Sequence, residues 1–121
     1  MNKNIIIVDD KEMIAKVITS ILQAEYNCKY FSNPLLAIDW LKEGNRPDLI
    51  LSDIRMPEMR GDEFLDYLKS NDDYKDIPIV MLSSEDSTSA RIKLLENGAD
   101  DYVVKPFNPM ELKIRIKKIL R

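Results

Sequence analysis

Histidine is absent from the 121-residue sequence, and cysteine occurs once, at Cys28. Without histidine the chain cannot form a Ser-His-Asp or Cys-His nucleophile system or a zinc site with histidine ligands. Any histidine chemistry in which it takes part therefore needs a histidine from a partner. Cys28 has no second cysteine for an internal disulfide, so we expect a reducing, cytoplasmic setting.

Long apolar runs and a strong excess of either charge are also absent. A membrane span needs about 20 consecutive apolar residues, and neither such a run nor the features of a signal peptide occur. The formal net charge of -3 gives no reason to expect nucleic acid binding. With 45% hydrophobic and 32% charged residues, the composition is that of a globular protein. We expect one domain over residues 1–121 that contacts neither membrane nor nucleic acid.

The sequence alternates five times between a strand pattern and a helix pattern. The predicted strands are Ile5–Asp9, Cys28–Phe31, Asp48–Asp53, Ile77–Ser83 and Asp101–Lys105. The predicted helices are Lys11–Glu25, Pro34–Glu43, Gly61–Asn71, Ser87–Asn97 and Pro109–Leu120. Three of the strands are continuously apolar, which is typical of a parallel sheet buried on both faces. The predicted fold class is α/β, a doubly wound five-stranded parallel sheet.

Polar side chains close four of these predicted strands. Asp9 ends the first strand and Asp10 follows it. Asp53 ends the third strand, while Ser83 and Lys105 end the fourth and fifth. In an open α/β sheet, ligands bind at the edge formed by the carboxyl ends of the strands. Three like charges at one edge repel each other unless a cation lies among them, and hard oxygen ligands of this kind suit Mg²⁺.

The motifs that surround these residues make their order specific. Residues 53–57 read Asp-Ile-Arg-Met-Pro and are followed by Gly61, and Lys105 is followed by Pro106. From Ile5 to Leu120 the chain resembles the receiver domain of bacterial two-component response regulators, and it is similar to the single-domain chemotaxis-type regulators. The resemblance implies the flavodoxin-like (βα)5 receiver fold, with a cis peptide bond between Lys105 and Pro106.

The resemblance also implies a phosphoacceptor and a metal site. Asp53 is expected to take a phosphoryl group from the phosphohistidine of a sensor histidine kinase or a histidine phosphotransfer protein. Asp10, Asp53 and the backbone carbonyl of Arg55 are expected to ligate Mg²⁺ (or Mn²⁺), and Asp9 to hold the metal through water. The implied activity is phosphoryl acceptance with slow self-hydrolysis, which makes the chain a signalling module and not an enzyme that turns over a metabolite.

Further residues carry roles by the same resemblance. Lys105 is expected to pair with Asp53 and later with the phosphoryl group, and Ser83 to donate a hydrogen bond to that group. Tyr102 is expected to act as the aromatic switch residue that changes the surface formed by helix four, strand five and helix five. Arg55 and Glu85 flank the site with opposite charges, and we hypothesise that they form an ion pair that restricts the attacking water and tunes the phosphorylated lifetime.

Other interpretations of the same residues exist. Taken alone, Asp9 and Asp10 are acids at a helix start, Ser83 is a loop residue, Lys105 is solvated and Tyr102 is packing. The basic last helix, which includes Arg115, is then a solvated face, although in the family that helix also belongs to the output surface.

The alternative functions come from different classes of protein. A metal-dependent phosphatase with an aspartate nucleophile needs a second acid where Arg55 stands, and an FMN carrier needs a phosphate loop where Asp9 and Asp10 would repel the ligand. A degenerate receiver that binds partners without phosphate is the main alternative. The downstream target cannot be identified from the sequence, and the chain is expected to be a monomer or a phosphorylation-linked dimer.

Overall fold

A single parallel sheet forms the centre of the molecule. The computed structural model describes residues 2–84 and 88–121, and within them the chain forms five strands. These are β1 (Asn4–Val8), β2 (Asn27–Phe31), β3 (Leu49–Asp53), β4 (Ile79–Ser83) and β5 (Asp101–Val104). Neighbouring strands are parallel throughout, in the order β2-β1-β3-β4-β5. This order is the flavodoxin-like one, so the predicted fold class is confirmed.

Helices connect the strands. In the described residues they are α1 (Glu12–Leu22), α2 (Pro34–Lys42), α3 (Gly61–Lys69), α4 (Thr88–Glu96) and α5 (Pro109–Leu120). Asn33 caps α2 by accepting from the Leu36 N–H, and Asn108 caps α5 by accepting from two backbone N–H groups. A proline follows each of these caps at the first helical position, where its missing N–H costs nothing. No helix of the described residues is both long and apolar enough to cross a membrane.

The predicted element ends differ from the observed ones by up to three residues. Helix α1 ends at Leu22 and not at Glu25, because the N–H groups of Glu25 and Tyr26 turn back to the Leu22 carbonyl. Strand β4 begins after Pro78, which has no N–H to give to the sheet. The predicted start of the fourth helix, at residue 87, lies outside the described residues.

The two faces of the sheet carry separate apolar clusters. Alternate residues of β1 pack on opposite sides: Ile6 belongs to the cluster covered by α2, α3 and α4, and Ile7 to the cluster covered by α1 and α5. Every residue of β3 and β4 is buried. The interior strands are therefore held rigidly on both sides, and their carboxyl ends form a fixed edge of the sheet.

Candidate functional site

Three aspartates meet at the carboxyl edge of β1 and β3. These strands are neighbours in the sheet, so the residues that follow β1 lie beside the last residue of β3. Each of Asp9, Asp10 and Asp53 offers a carboxylate oxygen within 4.8 Å of the other two. Asp9 and Asp53 are buried, at 0% and 6% exposure, whereas Asp10 is exposed. The edge thus holds three acids that the sequence keeps up to 44 residues apart.

Lys105 lies between two of these acids. Its Nζ is 3.1 Å from Oδ1 of Asp53, as the resemblance implied. It is also 3.1 Å from Oδ2 of Asp9, a contact that the sequence analysis missed. The Lys105–Pro106 peptide bond is cis, as expected. The Lys105 N–H donates to the carbonyl of Ser83 at 2.7 Å. This bond continues the pairing of β4 and β5 and fixes the backbone from which the Lys105 side chain extends.

Asp9 is the most deeply buried of the charged groups. Burial raises its pKa above the usual value, while a hydrogen bond from the Lys11 N–H and the charge of Lys105 act in the opposite direction. The net direction is upward, and the neighbouring charge of Asp53 adds to it. One lysine therefore leaves this group of acids with uncompensated negative charge, and a further cation would stabilise their ionised forms.

The loop after β3 holds the backbone of Asp53. A side-chain Cβ at Gly61 would lie 2.1 Å from the Asp53 carbonyl oxygen, so only glycine permits this approach. The Gly61 N–H donates to the Ile54 carbonyl at 2.7 Å, and the buried Ser52 hydroxyl donates to the Asp53 carbonyl at 2.9 Å. The glycine that the sequence analysis used only as part of a motif therefore sets the position of Asp53.

The remaining described residues that the resemblance assigned lie on β4, on β5 and in the loop after β3. Ser83 is buried at the end of β4, one residue beyond the partner of Asp53 in the strand register, and Arg55 is exposed two residues after Asp53. Tyr102 is 3% exposed in the cluster beneath α4, with the Arg91 guanidinium 5.7 Å from its ring centroid. Glu85 lies outside the described residues, so its ion pair with Arg55 stays a prediction.

Tyr30 makes a contact that the sequence analysis did not identify. Its hydroxyl, on β2, donates to the backbone carbonyl of Asp9 at 2.7 Å. Burial, followed by the negative charges of Asp9, Glu12 and Asp10, raises the pKa of Tyr30, so its hydroxyl stays protonated and able to donate. Strand order places β2 beside β1, but the register that pairs Tyr30 with Ile7 and the side-chain contact come from the structure.

Arg115 departs from the interpretation of α5 as a solvated face. Its Nη1 lies 3.0 and 2.9 Å from the two carboxylate oxygens of Asp101, and its Nε lies 3.0 Å from Glu111. These hydrogen bonds, first to Asp101 and then to Glu111, raise the pKa of the guanidinium above its usual value. The contact between Arg115 and Asp101 joins α5 to β5, so Arg115 is a paired side chain and not simply a solvated one.

The donor set of this site suits a small hard cation. Three carboxylates that converge within 4.8 Å are the oxygen ligands that Mg²⁺ and Mn²⁺ prefer. Asp53 adds a buried carboxylate next to a lysine, an arrangement in which an anionic nucleophile and a stabilising cation lie together. Within the described residues, no other group of three or more acid, cysteine or histidine side chains meets this criterion for holding a metal.

Comparison with protein families gives a match over nearly the whole chain. The model of the response regulator receiver domain matches residues 5–117. This range begins in β1 and ends within α5, so it includes the three aspartates, Ser83 and Lys105.

Individual relatives agree with the family match. The chain is 40% identical over 122 residues to the phosphate regulon transcriptional regulatory protein PhoB of Pseudomonas aeruginosa, covering all of this chain and 53% of that protein. It is also 40% identical over 116 residues to histidine kinase P4 of Formosa agariphila, covering 96% of this chain and 8% of the kinase. The chain therefore spans about half the length of the first relative and a small part of the second.

Solved structures with the same fold are receivers as well. The chemotaxis response regulator CheY4 of Vibrio cholerae superposes with a TM-score of 0.90 at 31% identity, covering 99% of this chain and 100% of that one. The receiver domain of the Francisella response regulator 1452 superposes with a TM-score of 0.90 at 30% identity, covering 98% and 97%.

We predict that Asp10→Asn stabilises the protein in the absence of divalent cations. The Asp10 carboxylate makes no hydrogen bond or ion pair within the described part of the chain, yet it lies near two further acids. Removing its charge should relieve repulsion of at most about 1 kcal/mol, because solvent screens an exposed group. Urea unfolding of the protein in EDTA measures this change.

Asp76→Asn is the matched control, because Asp76 is exposed in a loop and has no ion pair among the described residues. In Mg²⁺ the order should reverse, with the wild type gaining more stability than Asp10→Asn. An Asp10→Asn variant that is destabilised in EDTA, or that gains as much from Mg²⁺ as the wild type, would contradict the assignment of Asp10 to a strained acidic cluster.

Proposed function

The chain belongs to the response regulator receiver domain family, and on that basis we propose that Asp53 accepts a phosphoryl group from a phosphohistidine. Receiver domains of response regulators are phosphorylated by histidine kinases, and they are signalling modules. The chain has no histidine, so the donor imidazole comes from a partner, either a sensor histidine kinase or a histidine phosphotransfer protein. The observation that carries the proposal is the meeting of Asp53 with Asp9, Asp10 and Lys105 at one edge of the sheet.

The transfer forms an acyl phosphate on Asp53. A carboxylate oxygen of Asp53 attacks the phosphorus, and the bond between phosphorus and the histidine nitrogen breaks. The nitrogen keeps the electron pair and leaves as imidazole. Asp53 is suited to this role because burial and the close approach of Gly61 hold it in one position, so little of the barrier comes from orienting the nucleophile.

The acids around Asp53 supply the cation site. We propose that Asp10 and Asp53 hold Mg²⁺ (or Mn²⁺) directly, together with the backbone carbonyl of Arg55, and that Asp9 holds it through water. When bound, the cation orients the phosphoryl oxygens and offsets their negative charge as they approach the anionic acceptor. The converging oxygens of the three aspartates support this set.

Lys105 and Ser83 act on the phosphoryl group itself. Lys105 is placed 3.1 Å from an oxygen of Asp53, where its charge can compensate the negative charge that transfer adds. Ser83 is buried at the end of the strand next to β3, and its hydroxyl is the donor that we assign to a phosphoryl oxygen. Arg55 stands where a phosphatase of the aspartate type would need a second acid, and an arginine cannot serve as that acid.

We predict that incubation with acetyl phosphate and Mg²⁺ adds one labile phosphoryl group to the protein. Intact-protein mass spectrometry should show this adduct for the wild type and lose it in EDTA. Asp53→Asn should show none, because the amide is not a nucleophile of this kind. Asp39→Asn, at an exposed acid of α2, is the matched control and should behave as the wild type.

An adduct that persists in Asp53→Asn would place the acceptor elsewhere. Absence of both the phosphoryl adduct and a beryllium fluoride complex in the wild type, with Mg²⁺ binding measured separately, would favour a degenerate receiver that binds partners without phosphate.

We further propose that phosphorylation changes the surface formed by α4, β5 and α5. Tyr102 belongs to β5 and lies beneath Arg91 of α4, while Asp101 of the same strand holds Arg115 of α5. A movement of the Tyr102 ring would act on α4 directly, and a shift of the β5 backbone that accompanies it would act on α5 through Asp101. The same surface exposes apolar side chains that a partner, or a second copy in a phosphorylation-linked dimer, could cover: Ile92, Leu95, Met110 and Ile114.

This switch predicts a specific pattern of amide chemical shifts. Adding beryllium fluoride with Mg²⁺ should shift amide resonances of α4, β5 and α5 in addition to those next to Asp53, because the change passes along β5. The internal control is α2, which contacts β2, the strand at the other edge of the sheet from β5. Shifts confined to the loops around Asp53 would refute the switch while leaving phosphoryl acceptance intact.

The charge pair of Arg55 and Glu85 is proposed to set the lifetime of the phosphorylated state. Arg55 is exposed beside the acceptor, where a side chain can limit the approach of water to phosphorus. Replacing both residues with glutamine should change the dephosphorylation rate, measured as decay of the adduct mass. Stability should change little, because Arg55 is exposed and ion pairs of exposed groups contribute only about 0–1 kcal/mol. An unchanged decay rate would reject the pair as a tuning element.

A further inference from the structure

Tyr30 is connected to the acidic site through the protein backbone. It lies on β2, the edge strand, and pairs in register with Ile7 of β1. Its hydroxyl reaches past the end of β1 and donates to the carbonyl of Asp9 at 2.7 Å, across a separation of 21 residues in the sequence. That carbonyl belongs to the peptide group that joins Asp9 to Asp10, so the hydrogen bond restrains the orientation of the peptide that leads into Asp10.

The two acids of this turn are held in different ways. The Asp9 carboxylate accepts from the Lys11 N–H at 2.8 Å and pairs with Lys105 at 3.1 Å, so both of its oxygens have partners. The Asp10 carboxylate is exposed and makes no such contact within residues 2–84 and 88–121. The position of Asp10 therefore depends on the backbone that carries it.

Electrostatic repulsion pushes the Asp10 carboxylate away from Asp9 and Asp53, whereas a shared cation site requires the three carboxylates to stay together. Its carboxylate oxygen lies within 4.8 Å of the other two acids, and the one lysine at the site is already shared between those two. With no cation bound, repulsion favours rotation of the Asp9–Asp10 peptide and movement of Asp10 towards solvent. A hydrogen bond to that peptide resists the movement.

Besides the bond from the Lys11 N–H to the Asp9 carboxylate at 2.8 Å, the described structure shows few other restraints on this turn. Lys11, at the N-cap of α1, makes no side-chain capping bond, so the helix start does not hold the turn through a cap. The Asp9 N–H donates to the Phe31 carbonyl at 3.1 Å, which extends the pairing with β2 by one residue and ends there. The Tyr30 hydroxyl is the next link between β2 and the turn, and it acts directly on the peptide that leads into Asp10.

We infer that Tyr30 is a positioning residue for the divalent cation site, whose hydroxyl holds the Asp9–Asp10 peptide so that Asp10 stays beside Asp53 before the cation arrives. The inference rests on the proposed function, because it assumes that these acids bind Mg²⁺. Partners that orient metal ligands typically change affinity or activity by about 10- to 100-fold when they are removed. We expect the lower end of this range, since Tyr30 acts through the backbone.

The test is the Mg²⁺ affinity of Tyr30→Phe, measured by isothermal titration calorimetry. Phenylalanine keeps the ring that packs beside α1 and removes only the hydroxyl. The dissociation constant should rise about tenfold. In acetyl phosphate reactions, the Mg²⁺ concentration for half-maximal rate should rise by the same factor, while the rate at saturating Mg²⁺ stays unchanged because Asp53 and Lys105 are untouched.

Tyr26→Phe is the matched control, because Tyr26 is also half-buried and its hydroxyl makes no hydrogen bond in the described structure. Its Mg²⁺ affinity should equal that of the wild type. Tyr30→Leu provides a second removal of the hydroxyl on an apolar side chain, and it should share the loss of affinity. Circular dichroism spectra of each variant verify that the fold is retained.

The possible outcomes separate the two proposals. Normal Mg²⁺ affinity in folded Tyr30→Phe, alongside clear binding by the wild type, would overturn the positioning role and leave phosphoryl acceptance untouched. A lower rate at saturating Mg²⁺ with unchanged affinity would also overturn it, because that result would mean a role in the transfer and not in holding Asp10. A wild type that binds no Mg²⁺ would overturn both proposals.

Discussion

The ammonium group of Lys105, shared between Asp9 and Asp53, is the interaction on which the arrangement of this site depends. Two buried carboxylates beside each other are costly in a protein interior unless a cation compensates them. Lys105 supplies that charge at 3.1 Å from each. It compensates two of three acids, however, and the third, Asp10, keeps the edge negative. The same shortage of positive charge that leaves the acids in repulsion would favour the binding of a divalent cation.

The sheet makes this arrangement possible by holding its strands on both faces. Apolar clusters cover each side of β1, β3 and β4, so the ends of these strands cannot shift to relieve repulsion among the acids. Natural proteins commonly accept such local conflict where function requires it and offset it with packing elsewhere. Here the apolar packing belongs to the same strands, β1 and β3, whose ends carry the repelling acids. A core of this kind keeps Asp53 in one place.

Strand β5 connects the acidic edge to helices α4 and α5. Lys105 follows its last residue, Tyr102 lies within it under α4, and Asp101 at its start binds Arg115 of α5. A change at the acidic edge can thus reach two helices through one short strand. Exposed apolar residues lie on these two helices, which is consistent with a signalling module of the receiver family.

Local pattern determined much of this protein. The alternation of apolar strands and amphipathic helices was enough to predict the fold class, whereas the flavodoxin-like strand order came from the resemblance to receiver domains. Acids at the ends of two predicted strands were enough to predict that Asp9, Asp10 and Asp53 lie together, because parallel strands end at one edge. Only the tertiary structure decided the second partner of Lys105, the burial of Asp9, the bond from Tyr30 and the pairing of Arg115 with Asp101. These contacts join residues 96, 21 and 14 positions apart. They depend on strand register and side-chain reach, which a periodic pattern in the sequence does not specify.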